Sequence, residues 1–154
     1  MKILEEKEIM GVHKYFTEQD KLQITNAIRV AETNTSGEIR VHVENCCSGD
    51  VLDRAAYLFE KLEMHKTELR NGVLFYLAVQ DRKFAILGDA GINQKVPADF
   101  WESTKNVVIT KMKEGLYAEA LADGIVRAGE QLKAHFPYQK GDVNELSDEI
   151  SFGK

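Results

Sequence analysis

Residues 71–88 read Asn71-Gly72-Val73-Leu74-Phe75-Tyr76-Leu77-Ala78-Val79-Gln80-Asp81-Arg82-Lys83-Phe84-Ala85-Ile86-Leu87-Gly88, and this stretch decides the fold. The turn pair Asn71-Gly72 opens an unbroken apolar run over residues 73–79 that is rich in β-formers. Such a run predicts a central strand covered on both faces. Gln80-Asp81-Arg82 is short enough for a hairpin turn, and residues 83–87 supply an antiparallel return strand. The charge-free stretch, residues 71–80, is about half of what a membrane-spanning helix requires.

Working upstream, Ile39, Val41 and Val43 alternate with Arg40, His42 and Glu44, a period of two that predicts a strand with one buried face. Ser48-Gly49-Asp50 breaks that strand, and Asp50 is placed to cap a helix striped by Leu52, Ala55, Ala56, Phe59 and Leu62. Before the strand, Thr17-Glu18-Gln19-Asp20 reads as a helix start. The stripe Leu22, Ile24, Ala27, Ile28 and Ala31 follows and ends at the turn cluster Thr33-Asn34-Thr35-Ser36-Gly37.

Working downstream, Gly88-Asp89-Ala90-Gly91 closes the return strand and Pro97 marks a helix entrance. Phe100, Trp101, Thr104, Val107, Val108 and Met112 follow at helical spacing, with Gly115 as the stop. A last helix carries Leu121, Ile125, Ala128 and Leu132 and halts before Pro137. The order is αβαββαα. A helix between the first two strands makes them parallel with a right-handed crossover, and the third strand is antiparallel to the second. Helices on both faces hide the two-faced strand, so the expected class is α/β, a three-layer α/β/α sandwich around a small mixed sheet. One domain is expected over residues 1–137, with an acidic C-terminal tail over residues 138–154. That tail is read either as solvated or as a segment docking through Leu146, Ile150 and Phe152.

The 154 residues are 44% hydrophobic and 29% charged, an ordinary globular composition for one domain. The net charge of −5 argues against a nucleic-acid partner. The two cysteines, Cys46 and Cys47, are adjacent and cannot form an ordinary long-range bridge, which points to a reducing compartment. Charged residues interrupt the N-terminal apolar residues, so neither a secretory signal nor a membrane association is expected, and the location read from the sequence is cytoplasmic.

Strand direction decides which loops meet. Strand one begins near Gly37 and strand two near Gly72, while strand three runs backwards to end at Gly88. Ser36, Glu38, Asn71, Asp89 and Gly91 therefore converge on one sheet edge, with Asp99 at the start of the next helix. Carboxylates, an amide and hydroxyl or carbonyl oxygens at one rim suit a hard cation, Ca²⁺ or Mg²⁺. Glu38, Asn71, Asp89 and Asp99 are the candidate metal ligands. The competing reading makes Asn71, Gly88 and Gly91 turn residues and Asp99 an acid favoured by the helix dipole. The opposite edge collects Glu44, Cys46, Cys47, Asp50, Asp81 and Arg82. A cysteine phosphatase needs a shorter interval than that between Cys47 and Arg54, and Asp50 and Asp81 would repel phosphate, so the cysteines read as inert. No Gly-rich phosphate loop or paired-His zinc pattern occurs, and the four histidines read as structural or solvent-facing. Asp142-Val143-Asn144 opens like a calcium loop but lacks the glycine of its sharp bend.

Taken in order, Thr35-Ser36-Gly37-Glu38-Ile39, Asn71-Gly72-Val73-Leu74, Asp81-Arg82-Lys83, Gly88-Asp89-Ala90-Gly91-Ile92 and Lys113-Glu114-Gly115-Leu116-Tyr117 resemble the successive motifs of the TPM domain. That module is named after a thylakoid-lumen phosphatase, a photosystem II repair protein and a modulator of acetylcholine receptors. The resemblance spans residues 20–136. It implies an α/β/α sandwich, an acidic site at which some members bind calcium or magnesium, and an acid phosphatase activity in the plant branch. Glu38, Asn71, Asp81, Asp89 and Gly91 match motif positions, without a catalytic role implied for any of them. Typical relatives carry a signal peptide and a membrane anchor, and neither is expected here, which suggests a stand-alone cytoplasmic, bacterial branch. Three functions follow as expectations: binding of a divalent cation or a protein partner at the acidic edge, a metal-dependent phosphatase working through Glu38 and Asp89, and a scaffold using its acidic tail.

Overall fold

The computed structural model describes residues 15–139 and 150–153. The chain forms α1 (Glu18–Thr33), β1 (Glu38–Glu44) and α2 (Val51–Lys61), then a 3₁₀ turn (Met64–Lys66). It continues with β2 (Gly72–Ala78), β3 (Lys83–Gly88), a single-turn α3 (Ala90–Asn93), α4 (Phe100–Lys113), α5 (Tyr117–His135) and β4 (Ser151–Phe152). The sheet order is β3-β2-β1-β4. β1 runs parallel to β2, with Glu38 beside Gly72 and Glu44 beside Ala78. β2 and β3 are antiparallel, as the hairpin turn requires. The α/β/α class is therefore the observed one.

Local chemistry sets the element ends. Thr17 and Asp20 form a reciprocal capping box at the head of α1, each side chain accepting from the other's backbone N–H. Asp50 accepts from the N–H groups of Leu52 and Asp53 to start α2. Gly115, at φ +83°, supplies the left-handed residue that ends α4.

Two apolar cores lie on opposite faces of the sheet. Ile39, Val41, Val43, Val73, Phe75, Leu77, Phe84 and Ile86 pack against α1, α4 and α5. Leu74, Tyr76, Ala78 and Ala85 pack against Ala55, Leu58 and Phe59 of α2 and against Met64. Every residue of β2 is buried, as its unbroken apolar run predicts.

β1 differs from its sequence pattern. Its alternation predicts one solvated polar face, yet Glu38, His42 and Glu44 are all buried and only Arg40 is partly open. The reason is coverage from outside the strand. Arg54 of α2 reaches over this face to Glu44, and β4 pairs in parallel with β1 at His42 and Val43. Of the two readings of the C-terminal tail, docking describes its end. Ser151–Phe152 extends the sheet, Ile150 packs on the larger core, and Phe152 lies under the Lys21 ammonium at 5.3 Å. Leu146, the Asp142-Val143-Asn144 stretch, His13 and the N-terminal residues 1–14 lie outside the described residues. No helix among the described residues is long and apolar enough to cross a membrane.

Candidate functional site

The edge where β1 and β2 begin and β3 ends brings together most of the residues expected there. The Glu38 N–H donates to the Asn71 carbonyl at 3.3 Å, and the Asp89 N–H to the Gly72 carbonyl at 2.9 Å. Since Glu38 is also the parallel partner of Gly72, Glu38, Gly72 and Asp89 form one cross-strand row. Gly72 carries no side chain, and Glu38 and Asp89 stand on the strands either side of it, about two strand spacings apart, roughly 10 Å. The space over Gly72 is filled: a Cβ there would stand 3.2 Å from the Met64 carbonyl oxygen, 3.7 Å from Met64 Cε and 3.8 Å from Phe59 Cζ.

Glu38, Asn71 and Asp89 are buried, at 2%, 1% and 6% exposure. The Asn71 amide N–H donates to Ser36 Oγ at 3.4 Å, while Asn71 Oδ1 is buried and accepts no hydrogen bond. Thr67 Oγ1, in the loop leading to this edge, is buried in the same condition. Buried oxygens without a donor are costly, on the order of 1–3 kcal/mol each, and they are the atoms a cation would satisfy.

The closest ion pair of this edge involves Arg70, a residue outside the expected set. Arg70 grips both oxygens of Asp89, with Nε at 2.6 Å and Nη2 at 2.7 Å. The hydrogen bonds and charge of Asp89 raise the Arg70 pKa still further above its ordinary value. Arg70 sits at φ +51°, a left-handed conformation unfavourable for its side chain. It remains half exposed, whereas Asp89 is buried. Arg70 directly precedes Asn71-Gly72, so strand direction places it at the same edge as Asn71. Gly91 shows why the Asp89-Ala90-Gly91 turn is narrow. A Cβ there would stand 2.1 Å from the Leu69 carbonyl and 2.6 Å from that of Arg70.

Asp99 occupies the N-cap position of α4, exposed, and its side chain makes no capping bond. Among the described residues no hydrogen bond or ion pair ties it to Glu38, Asn71 or Asp89. Nor do three His, Cys, Asp or Glu side chains among the described residues close in as a metal-holding group. An ion here would rest on two carboxylates supplemented by amide, hydroxyl and carbonyl oxygens.

The opposite edge is built around Glu44, which is 1% exposed. Arg54 donates to both carboxylate oxygens, at 2.9 and 2.8 Å, and the Tyr76 hydroxyl donates to one of them. His42 Nε2 lies 3.4 Å away, and its Nδ1 is 2.7 Å from Ser151 Oγ. Burial would raise the Glu44 pKa, but the hydrogen bonds from Arg54, His42 and Tyr76 prevail and hold it at about 2. Burial and the neighbouring carboxylate together push the Tyr76 hydroxyl well above its usual range.

Ser151, His42 and Glu44 have the residue types of a hydrolytic triad, but their packing does something else. Ser151 Oγ also lies 3.3 Å from the Val41 carbonyl, and Gly153 closes over the group with its N–H on the Val43 carbonyl. The network seals β4 onto β1. Nearby, the Asp81 carboxylate accepts from the Cys47 N–H at 2.7 Å, and Lys83 donates to the Cys47 and Gly49 carbonyls. Both cysteines are free thiols, Cys46 exposed and Cys47 buried with its Sγ toward the Gly49 carbonyl.

Comparison with known proteins agrees with this architecture. The TPM domain model matches residues 12–131. The NMR structure of the BA42 protein from the psychrophilic bacterium Bizionia argentinensis is 48% identical, with a TM-score of 0.83 over 90% of this chain and 95% of that one. The solution NMR structure of the N-terminal domain of a P. gingivalis protein, target PgR37A, shares the fold at 16% identity. Its TM-score is 0.64, over 80% of this chain and 82% of that one. No curated protein matches. With the family model spanning most of the sequence and a close structural relative covering nearly all of it, the chain belongs to the TPM domain family.

Proposed function

We propose that the edge formed by Ser36, Glu38, Asn71 and Asp89 binds a hard divalent cation, Ca²⁺ or Mg²⁺. The observation that carries this reading is the row Glu38–Gly72–Asp89 beside a buried Asn71 Oδ1 that accepts no hydrogen bond. All-oxygen donors of mixed charge suit these ions, and Ca²⁺ in particular tolerates irregular arrangements of carboxylate, amide and carbonyl oxygens. Asp99 is not needed for the set.

Arg70 defines how such a site would work. Its guanidinium neutralises Asp89 in the absence of an ion, and its half-exposed side chain is free to swing outward when a cation takes its place. Binding is then an exchange of one positive charge for another, which favours modest affinity.

Calorimetric titration with CaCl₂ and MgCl₂ tests the proposal. Saturable heat is expected from the native chain, with a rise in melting temperature at millimolar metal, and both are expected to vanish in Glu38→Gln and Asp89→Asn. No heat and no thermal shift with either ion would remove the cation from the account.

A further inference from the structure

At the far end of the hairpin from the acidic edge lies a cavity of about 440 Å³ that the proposed function does not use. Its volume falls within the roughly 300–1,000 Å³ typical of small-molecule sites. The walls are apolar: Leu77 and Phe84 from the sheet, Ile109 and Met112 from α4, and Tyr117 from the head of α5. Tyr117 is held in place from behind by edge-on contacts with Tyr15 at 5.2 Å and Phe16 at 6.2 Å. Met112, with its flexible thioether, lets such a wall adapt to different tails.

Two cations, Arg82 and Lys113, complete the lining with Gly115, and both are exposed. Neither forms a salt bridge or side-chain hydrogen bond among the described residues. The nearby carboxylate that would neutralise Arg82, that of Asp81, is turned to the Cys47 N–H instead. The other basic residue of this end of α4, Lys111, is engaged by Glu119 and Asp123. Arg82 also sits at φ +52°, where glycine or asparagine would be less strained. An apolar chamber with two uncompensated positive charges at its rim is complementary to one kind of ligand.

We propose that this cavity binds a small amphipathic anion, a medium-chain carboxylate whose apolar tail enters the chamber while its carboxylate is held by Arg82 and Lys113. The tail removes the apolar walls from water, and the guanidinium offers paired donors matching a carboxylate. The site is independent of the cation edge, which lies at the other end of β2 and β3.

The test is a titration of methyl- and amide-labelled protein with decanoate, followed by NMR, alongside 1-decanol and acetate. Decanoate is expected to give saturable shifts at Leu77, Ile109 and Met112, while decanol and acetate bind at least about tenfold more weakly, the equivalent of one lost charge-assisted contact. Arg82→Gly relieves the strained backbone and so keeps the fold, and Lys113→Gln lies on an exposed helix end. Each is expected to weaken decanoate about tenfold without altering spectra elsewhere. Equal binding of decanol and decanoate, undiminished binding in both variants, or shifts confined to the surface would each overturn the assignment.

Discussion

The guanidinium of Arg70 and the carboxylate of Asp89 form a two-pronged ion pair, 2.6 and 2.7 Å long, at the edge where Glu38 begins the neighbouring strand. Asp89 is buried while Arg70 is half in solvent, so in the proposed exchange the carboxylate is the fixed partner and the guanidinium the one displaced. An ion at this edge must compete with Arg70. Replacing Arg70 by Gln is therefore expected to tighten Ca²⁺ binding, by about tenfold for one competing charge-assisted contact. Calorimetry on Arg70→Gln checks this, and weaker binding than in the native chain would show that Arg70 supports the site instead of guarding it.

The narrow turn after Asp89 gives a second expectation. Gly91→Ala would force a methyl group against the Leu69 and Arg70 carbonyls, which are backbone atoms and cannot step aside. A loss of about 1–3 kcal/mol of stability in denaturant unfolding is expected, together with displacement of Arg70 seen in its side-chain Nε–H resonance. An unchanged unfolding midpoint would mean that the turn relaxes at little cost.

Glu44 makes the protein sensitive to acid in a defined range. Its carboxyl is held at about 2 in the folded chain against an ordinary value of 4.5. A depressed carboxyl contributes stability that is complete above its unfolded value and is lost as pH falls toward the folded one. The contribution, on the order of 3 kcal/mol, should therefore disappear between about pH 4.5 and 2. Urea unfolding across that range should show the loss, and Glu44→Gln should flatten the slope while lowering stability at neutral pH, because Arg54 and His42 are left facing a neutral group.

The docked C-terminal strand supplies a fourth expectation. A Cβ on Gly153 would lie 2.4 Å from Glu44 Oε1 and 2.8 Å from His42 Nε2, so Gly153→Val should lift β4 from the sheet. Removing residues 150–154 goes further and leaves the outer edge of β1 open for pairing with another chain. Sedimentation analysis should find the truncated protein self-associating more strongly than the full chain. Identical behaviour of the two would show that β4 does not protect that edge.

Much of this fold was legible because its elements carry local signals: the capping box at Thr17, the Asp50 cap, and the apolar run of residues 73–79 that only a doubly covered strand can satisfy. The convergence of Glu38, Asn71 and Asp89 followed from strand direction alone. What could not be read was the burial of the polar face of β1. Glu44 is balanced by Arg54 on the next helix, and His42 by Ser151 more than a hundred residues later, so the pattern of residues 38–44 by itself looks solvated. Arg70 differs: its place beside Asn71-Gly72 puts it at this edge, but nothing local marks its side chain as folding back onto Asp89.

The cation edge is tested most directly by a high-resolution map from crystals soaked in CaCl₂. The expected result is a single ion with oxygen ligands at about 2.3–2.6 Å that include the carboxylates of Glu38 and Asp89 and Asn71 Oδ1, with the Arg70 guanidinium displaced into solvent. A map in which Arg70 still grips Asp89 and no ion lies between Glu38 and Asp89 would contradict it.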